Sequence, residues 1–153
     1  MIESYKQAIE EYKRVDHLYH VSLKYTRTVD VVRSVVERLI STFEYSIDAL
    51  LKCMKEEKEI EEIPTNPVGK GMIAKEKCND EEMCSYLDMY LKLRKIIRAE
   101  YTKREEYRRH VTMVTNLDGE TIDVDIDLLK EHYEETGRFL AHIKKRIEKY
   151  KDD

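Results

Sequence analysis

The amino-acid sequence predicts an all-α fold: a four-helix up-and-down bundle with a short β-hairpin inserted between helices 3 and 4. Apolar residues recur at steps of three and four along four segments, which is the pattern of helices with one buried face. The composition is 41% hydrophobic and 39% charged, with only four Gly and two Pro in 153 residues. Such a mixture is typical of amphipathic helices rather than of sheets with many turns. The length fits one domain, residues 1–153.

The first two helices are predicted from this period. Residues 2–26 carry apolar side chains at steps of three and four, beginning with Tyr5, Ile9 and Tyr12. Residues 28–60 have the most regular stripe in the chain, and Thr28 is placed to cap this helix because its hydroxyl accepts a hydrogen bond from a free backbone N–H. The stripe of the second helix consists of Val32, Val36, Leu39, Phe43, Ile47, Leu50 and Met54.

A long connection separates these helices from the third. Two Pro and two Gly between residues 57 and 79 interrupt the period, which predicts an irregular surface segment. The third helix is predicted over 80–110, with Asn79 or Asp80 at its start and an apolar stripe that reaches Tyr101.

The helical period disappears between residues 111 and 126. VTMVT and ETIDVDI alternate apolar and polar residues around an Asn-Leu-Asp-Gly turn, which predicts a β-hairpin. The last helix is predicted over 127–150, with Asp127 as its cap. Gly137 in its interior costs roughly 1 kcal/mol relative to Ala, which indicates close packing against another helix.

Charge and cysteine content limit the functions that the chain can have. The formal net charge is −4, so any RNA contact needs a local basic patch. Cys53, Cys78 and Cys84 form an odd set without a CxxC pair, which predicts reduced thiols and a cytoplasmic location. No apolar run approaches the ~20 residues of a membrane span, and we expect no signal peptide or membrane anchor. The scarcity of Asn and Gln is typical of proteins from hot environments.

Most familiar catalytic and cofactor signatures are missing. The sequence has no GxGxxG, no phosphate-binding loop, no HExxH and no nucleophile elbow. His17 and His20 stand one helical turn apart but lack a third metal ligand, while His132 and His142 fall off the apolar stripe of the last helix. We therefore expect no metal and no cofactor, and a surface position for the last two histidines.

One segment does combine chemically useful groups. REEYRRH, residues 104–110, places Arg104, Arg108 and Arg109 beside His110 at the predicted end of the third helix. Guanidinium groups bind phosphate oxygens, and an imidazole transfers protons near neutral pH, so the set suits an RNA phosphodiester without a metal. Tyr107 either stacks on a base or packs between subunits. Basic residues at a helix end also offset its dipole, which leaves a structural role open.

These residues resemble a known family. An Arg followed four to six positions later by His, near the junction of the last two helices of a small bundle, is similar to the motif of HEPN domains. Arg104 and His110 fit this spacing. Residues 18–51, LYHVSLKYTRTVDVVRSVVERLISTFEYSIDALL, look like the front half of small archaeal members of that group. The resemblance implies a homodimer in which two Arg-His motifs meet across a cleft.

The resemblance also implies an activity. Many HEPN proteins are metal-independent endoribonucleases, often toxins paired with a nucleotidyltransferase antitoxin. In this chain Arg104 would then hold the scissile phosphate, His110 would act as acid or base, and Arg108 and Arg109 would be extra phosphate ligands. The chain departs from the family pattern at Glu105, where active members commonly carry Asn or another small polar residue. The hairpin after His110 is a second departure, so an RNA-binding or purely structural relative is an alternative.

Two functions outside this family are also open. The first is a non-enzymatic helical protein–protein interaction module, in which a helix face or the hairpin edge docks a partner protein. The second is a small-ligand sensor that uses the bundle interior, for which the many tyrosines are the only indication.

Overall fold

The predicted predominance of helix is confirmed. The computed structural model describes residues 1–150. A π-helical turn (Leu18–Ser22) and a last turn (Leu23–Tyr25) extend the first helix, and a 3-10 turn (Glu148–Tyr150) extends the last one. The helices described are α1 (Ile2–His17), α2 (Val29–Glu56), α3 (Pro67–Lys77), α4 (Glu81–Arg98) and α5 (Ile126–Ile147), and the strands are β1 (Glu100–Arg104), β2 (Thr112–Leu117) and β3 (Glu120–Val124). None of the helices within residues 1–150 has the length and apolar character that a membrane crossing requires.

Helix α2 lies at the centre of the fold. It buries 15 of its 28 residues, more than one narrow stripe, and it therefore packs against α1, α4 and α5 at once. The ring of Phe43 stacks on Tyr90 of α4 and on Phe139 of α5, with centroids 5.7 and 4.7 Å away. Truncating a buried ring of this kind costs about 3–5 kcal/mol.

Gly137 allows α5 to approach α1 closely, as the sequence predicts. A Cβ at this position would lie 2.5 Å from the hydroxyl oxygen of Tyr12 on α1. That hydroxyl donates a hydrogen bond to the carbonyl oxygen of Tyr133 at 2.9 Å, and the two tyrosine rings stack at 4.9 Å. The glycine therefore makes room for a tyrosine that joins the first and last helices.

The predicted third helix is wrong at its C-terminal end. Helix α4 ends at Arg98 instead of continuing to residue 110, and the chain enters β1, which pairs antiparallel with β2 along its whole length. Tyr101 extends the apolar period of the helix, but its ring lies under the Arg33 guanidinium, 4.5 Å from the ring centroid. The partner of β1 follows only after a loop, so periodicity cannot reveal the pairing.

The predicted hairpin over 111–126 is present as β2 and β3. Asp118 and Gly119 form its two-residue turn with φ values of 51° and 85°. Two positive values are what a tight antiparallel turn requires, which explains the Asp-Gly pair. The hairpin belongs to a larger sheet than predicted, with the strand order β1-β2-β3.

The prediction of an irregular segment over 57–79 is wrong in its second half, where α3 forms. The Asn66 side chain caps this helix by accepting a hydrogen bond from the N–H of Gly69 at 2.6 Å. Pro67 occupies the first turn, where a missing N–H costs nothing. An Asn-Pro pair is therefore a helix start here, although proline alone indicates a break.

Of the three other capping residues predicted from the sequence, two are confirmed. Thr28 and Asp80 cap α2 and α4, since each side chain accepts a hydrogen bond from a backbone N–H of the first turn. The prediction of Asp127 as the cap of the last helix is wrong. Asp125 accepts a hydrogen bond from the N–H of Leu128 at 2.8 Å, because β3 ends directly before it and leaves its backbone extended.

The expectation of three reduced thiols is wrong for two of them. Cys78 and Cys84 form a disulfide. Cys78 follows the last residue of α3, and Cys84 lies in the first turns of α4. The turn between these helices brings the two Cα atoms to 5.6 Å, a distance that a disulfide spans. Cys53 is free and buried in α2.

Candidate nucleic-acid interface

Residues 104–110, which we call the basic loop, connect β1 to β2. Arg104 is the last residue of β1, and the others lie in the connection rather than at a helix end. Arg104 is paired with Thr112 across the two strands, and the Thr112 hydroxyl donates a hydrogen bond to the carbonyl of His110 at 2.8 Å. The backbones of Arg104 and His110 therefore lie at the same end of the strand pair.

The backbone of the loop is held in one shape by hydrogen bonds. The N–H of Tyr107 donates to the carbonyl oxygen of Arg27, just before α2, at 2.6 Å. Within the loop, the N–H of Arg108 donates to the carbonyl of Glu105 at 3.1 Å. Glu105 and Tyr107 have φ values of 52° and 66°, a conformation that costs roughly 1–2 kcal/mol for each non-glycine residue. The attachments to neighbouring segments offset this cost.

Glu106 attaches the loop to helix α2. Its Oε2 accepts a hydrogen bond from the N–H of Val29 at 2.8 Å, at the first residue of the helix. A carboxylate is stabilised there because the helix dipole and the free N–H groups favour negative charge. Lys103 lies 3.7 Å from the same carboxylate and 3.7 Å from Asp30. The negative charge of Glu106 is thus directed toward the protein.

The remaining side chains of the loop face solvent. Tyr107 is 77% exposed, and Arg108, Arg109 and His110 are exposed as well. Within residues 1–150, the side chains of these last three make no ion pair or hydrogen bond. Arg104 differs, because its guanidinium donates to the Asp123 carboxylate on β3 at 3.0 Å. The predicted residues are therefore all exposed on one short segment, with Arg104 already paired.

An aromatic and basic segment that the sequence did not predict lies next to this loop. Tyr25 is 79% exposed, and Lys24 lies beside it with its ammonium 6.0 Å from the ring centroid. Arg27 receives the hydrogen bond from Tyr107, so residues 24–27 border the loop. The sequence LKYTR, residues 23–27, could have indicated this segment. It places a tyrosine between two cations directly before the Thr28 cap, where the connection between two helices runs over the surface.

Of the other histidines, His20, His132 and His142 lie near carboxylates, whereas His17 is exposed. His20 contacts the Asp16 carboxylate at 3.0 Å, and the Tyr133 hydroxyl donates to that carboxylate at 2.6 Å. The expected surface position of His132 is wrong, because its side chain is only 13% exposed and burial lowers its pKa. Within residues 1–150, no three His, Cys, Asp or Glu side chains are arranged to hold a metal ion.

A polar depression between α1, α2 and α3 contains a second cluster of charges. Its volume is about 520 Å³, and Asp48 lies in its wall. Asp48 accepts hydrogen bonds from Ser4 at 2.6 Å and from Lys70 at 3.0 Å, and it pairs with Lys52 at 2.8 Å. Burial raises the pKa of Asp48, but the three donors outweigh it and lower the value to about 2. These groups satisfy one another, which is the behaviour of a structural ion-pair network.

Comparisons with known proteins add no assignment. The chain matches no protein-family model, and no curated protein and no solved structure is significantly similar to it.

Proposed function

We propose that the chain is a HEPN-type RNA-binding protein and that the basic loop is its RNA interface. One observation supports this most. The loop presents Tyr107, Arg108, Arg109 and His110 to solvent, while the carboxylate of Glu106 is held against α2. An overall negative chain thereby carries a small surface on which cations outnumber acids. Guanidinium groups on this surface would bind phosphates, and this term dominates protein–RNA affinity.

Single-stranded RNA is the form that suits this surface. Tyr25 and Tyr107 both expose more than three quarters of their surface. Exposed rings stack on unpaired bases but not on bases within a duplex, and such stacking is worth about 1–3 kcal/mol per base. Tyr25 lies two residues before Arg27, whose carbonyl accepts the hydrogen bond from the N–H of Tyr107, and Lys24 and Arg108 are the sequence neighbours of the two tyrosines.

The proposal includes metal-independent cleavage. In such a reaction the ribose 2′-hydroxyl attacks the neighbouring phosphorus, loses its proton, and the 5′-oxygen leaves with a proton. His110 is exposed and would transfer one of these protons, while Arg104 would hold the phosphate after exchanging Asp123 for it. Glu105 follows Arg104 in the sequence, and its negative charge would oppose the binding of a phosphate at Arg104.

The finer fold and the partners are also proposals. We propose that α1, α2, α4 and α5 form the four-helix bundle that the resemblance implies, with α3 and the sheet as insertions. Buried residues from all four helices in one core cluster support this arrangement. A homodimer, a nucleotidyltransferase-type antitoxin and a cytoplasmic location complete the proposal. The Cys78–Cys84 disulfide fits the cytosol of heat-adapted cells, whose intracellular proteins are rich in disulfides.

The test combines binding and cleavage of labelled single-stranded RNA in EDTA. Wild type is compared with Arg108→Gln/Arg109→Gln for binding and with His110→Ala for cleavage. Loss of two phosphate contacts should weaken binding and reduce the slope of log K against log salt by about 1.4, since each contact contributes about 0.7 on a single strand. His110→Ala should bind RNA but not cut it.

Lys144→Gln/Lys145→Gln is the matched control, because it removes two exposed positive charges at the end of α5. It should retain the wild-type affinity and slope. An equal loss in both double variants would mean that only net charge matters. If wild type neither binds nor cuts RNA, the proposal is wrong, and if His110→Ala cuts as wild type does, the role of the imidazole is wrong.

A second candidate function is the helical interaction module. One observation favours it: Val68 and Met72, four residues apart on α3, expose apolar surface on one side of that helix. A partner protein would bury both. A complex that resists high salt and contains no RNA would support this function over RNA binding.

A further inference from the structure

Strand β1 is an unpaired edge of the sheet. The strand order β1-β2-β3 leaves one side of β1 without a neighbour in the sheet. All five of its residues are exposed, whereas β2 buries three of its six. Within residues 1–150, the backbone hydrogen bonds of β1 are those of its pairing with β2. The N–H and C=O groups on its outer side are therefore free to pair with another strand.

The sequence of β1 is self-complementary in charge. When two copies of Glu100–Arg104 are laid antiparallel about Thr102, Glu100 of each copy faces Arg104 of the other. Tyr101 then faces Lys103, a pair that allows a cation–π contact. Opposite charges directly across two strands stabilise the pairing, and like charges oppose it. We infer that β1 pairs with β1 of a second copy of this chain and forms a symmetric dimer with one six-stranded sheet.

The side-chain faces of the strand agree with this pairing. Side chains alternate along a strand, so Glu100, Thr102 and Arg104 share one face. Arg104 already contacts Asp123 on that face. Asp123 lies on β3, across β2, whereas Glu100 of the second copy would lie beyond the outer side of β1, so the Arg104 guanidinium would turn from one carboxylate to the other. The pairing therefore exchanges an exposed ion pair within one copy for an ion pair between the two copies.

Other registers are less favourable. Moving the twofold axis by one residue toward the loop places Lys103 opposite Lys103. Moving it the other way leaves Arg104 without an opposing carboxylate from β1. The register about Thr102 is the one that pairs all five residues and opposes unlike charges at both ends.

The other edge of the sheet does not share this property. Strand β3, Glu120–Val124, carries Glu120 and Asp123 and no basic residue. Two copies of β3 side by side would bring four carboxylates together. Pairing of β1 with β3 of another copy would unite opposite charges, but it is a head-to-tail contact, which yields rings or open filaments rather than a twofold dimer.

This inference stands on β1 alone and does not depend on the RNA proposal. In the pair, the two copies of Arg104 lie roughly 14 Å apart along the strands, from four residues at about 3.4 Å each. The two basic loops then lie at opposite ends of the paired strands, so they do not meet across one cleft as the family resemblance implies, and each would contact its own stretch of RNA. A five-residue strand is a small interface beside the roughly 1,200–2,000 Å² of stable complexes, so we expect a dimer that dissociates on dilution.

Charge reversal tests the register directly. Glu100→Arg and Arg104→Glu are prepared singly and together, and mass is measured by sedimentation over a wide concentration range. Each single variant faces like charges at two positions of the dimer, so its self-association should fall at least about tenfold. The double variant exchanges the two charges and should dimerise as wild type does. An equimolar mixture of the two single variants should form a heterodimer.

Glu120→Arg, which changes the charge of β3 equally, is the matched control and should leave the dimer unchanged. Circular dichroism melting of each variant shows that it is folded. A wild type that is monomeric at every concentration overturns the inference. So does a dimer that ignores the single reversals, a mixture that stays monomeric, or dissociation by Glu120→Arg, which would indicate pairing of β1 with β3.

Discussion

The Glu106 carboxylate accepts a hydrogen bond from the backbone N–H of Val29 at 2.8 Å, across 77 positions of sequence. This contact joins the basic loop to the start of the longest helix. It also directs one of the two acidic side chains of REEYRRH toward the protein, while the other, Glu105, stays exposed. The excess of positive charge on the exposed side of the loop therefore depends on this contact at the start of α2.

Glu106→Ala separates anchoring from charge. The variant loses a cap contact, so the free energy of unfolding should fall by about 1 kcal/mol in chemical denaturation. If the loop needs its anchor to present Arg108 and Arg109, RNA affinity should also fall. If only net charge mattered, RNA affinity would instead rise, because the variant has lost one negative charge. Tighter RNA binding by Glu106→Ala would therefore contradict an anchored interface.

Glu105→Asn removes the charge that opposes phosphate binding at Arg104. Glu105 is exposed and adopts φ 52°, a conformation in which Asn is tolerated better than Glu. We expect a small gain in stability, up to about 1 kcal/mol, and an increase in RNA affinity. Filter binding at fixed salt and thermal melting measure the two effects. An unchanged affinity would mean that phosphate does not approach this residue.

Gly137→Ala should destabilise the protein although Ala favours helix by roughly 1 kcal/mol. The new Cβ would lie 2.5 Å from the Tyr12 hydroxyl oxygen and displace it from its hydrogen bond to Tyr133. We expect a net loss of about 1–3 kcal/mol, as for an overpacked site. In a Tyr12→Phe background the hydroxyl is absent, so the same substitution should cost much less. A double-mutant cycle from urea unfolding gives the coupling, and a coupling near zero would contradict this packing.

The features that the sequence predicts correctly depend on residues close together in the chain, and the features that it misses depend on residues far apart. The stripe from Val32 to Met54, the Thr28 cap and the Asp118-Gly119 turn depend on residues a few positions apart, and each prediction is confirmed. The pairing of β1 with β2 and the Glu106 contact with Val29 depend on the three-dimensional fold. Because of these contacts α4, which corresponds to the predicted third helix, ends at Arg98, and the candidate site lies on a loop.

The candidate site was predictable as a set of residue types but not as a surface. REEYRRH identifies Arg104, Tyr107 and His110 by chemistry, and all of them are exposed. The pairing of Arg104 with Asp123 could not be predicted, because it crosses a sheet whose first strand has the apolar period of a helix. The pattern LKYTR indicates an exposed tyrosine between two cations, but the position of this segment beside the basic loop depends on the hydrogen bond between Arg27 and Tyr107, which no local pattern encodes.

The network around Asp48 predicts a pH dependence of stability. Burial raises the pKa of Asp48, but hydrogen bonds from Lys52, Ser4 and Lys70 outweigh it and lower the pKa from 3.8 to about 2 in the folded protein. As pH falls from about 4 to about 2, the unfolded chain binds a proton before the folded one does. The stability that the ionised carboxylate contributes is thus complete above pH 4 and lost toward pH 2.

Asp48→Asn should therefore lower the free energy of unfolding by about 1 kcal/mol at pH 7, a modest value because the lysines are partly exposed to solvent. The difference from wild type should shrink as the pH approaches 2. Asp88→Asn is the control, since it removes an exposed carboxylate whose one ion-pair partner within residues 1–150 is Lys75. Denaturant unfolding of all three proteins between pH 2 and pH 7 measures the effect. If the deficit of Asp48→Asn stays constant over this range, the carboxylate does not stabilise the fold through its charge.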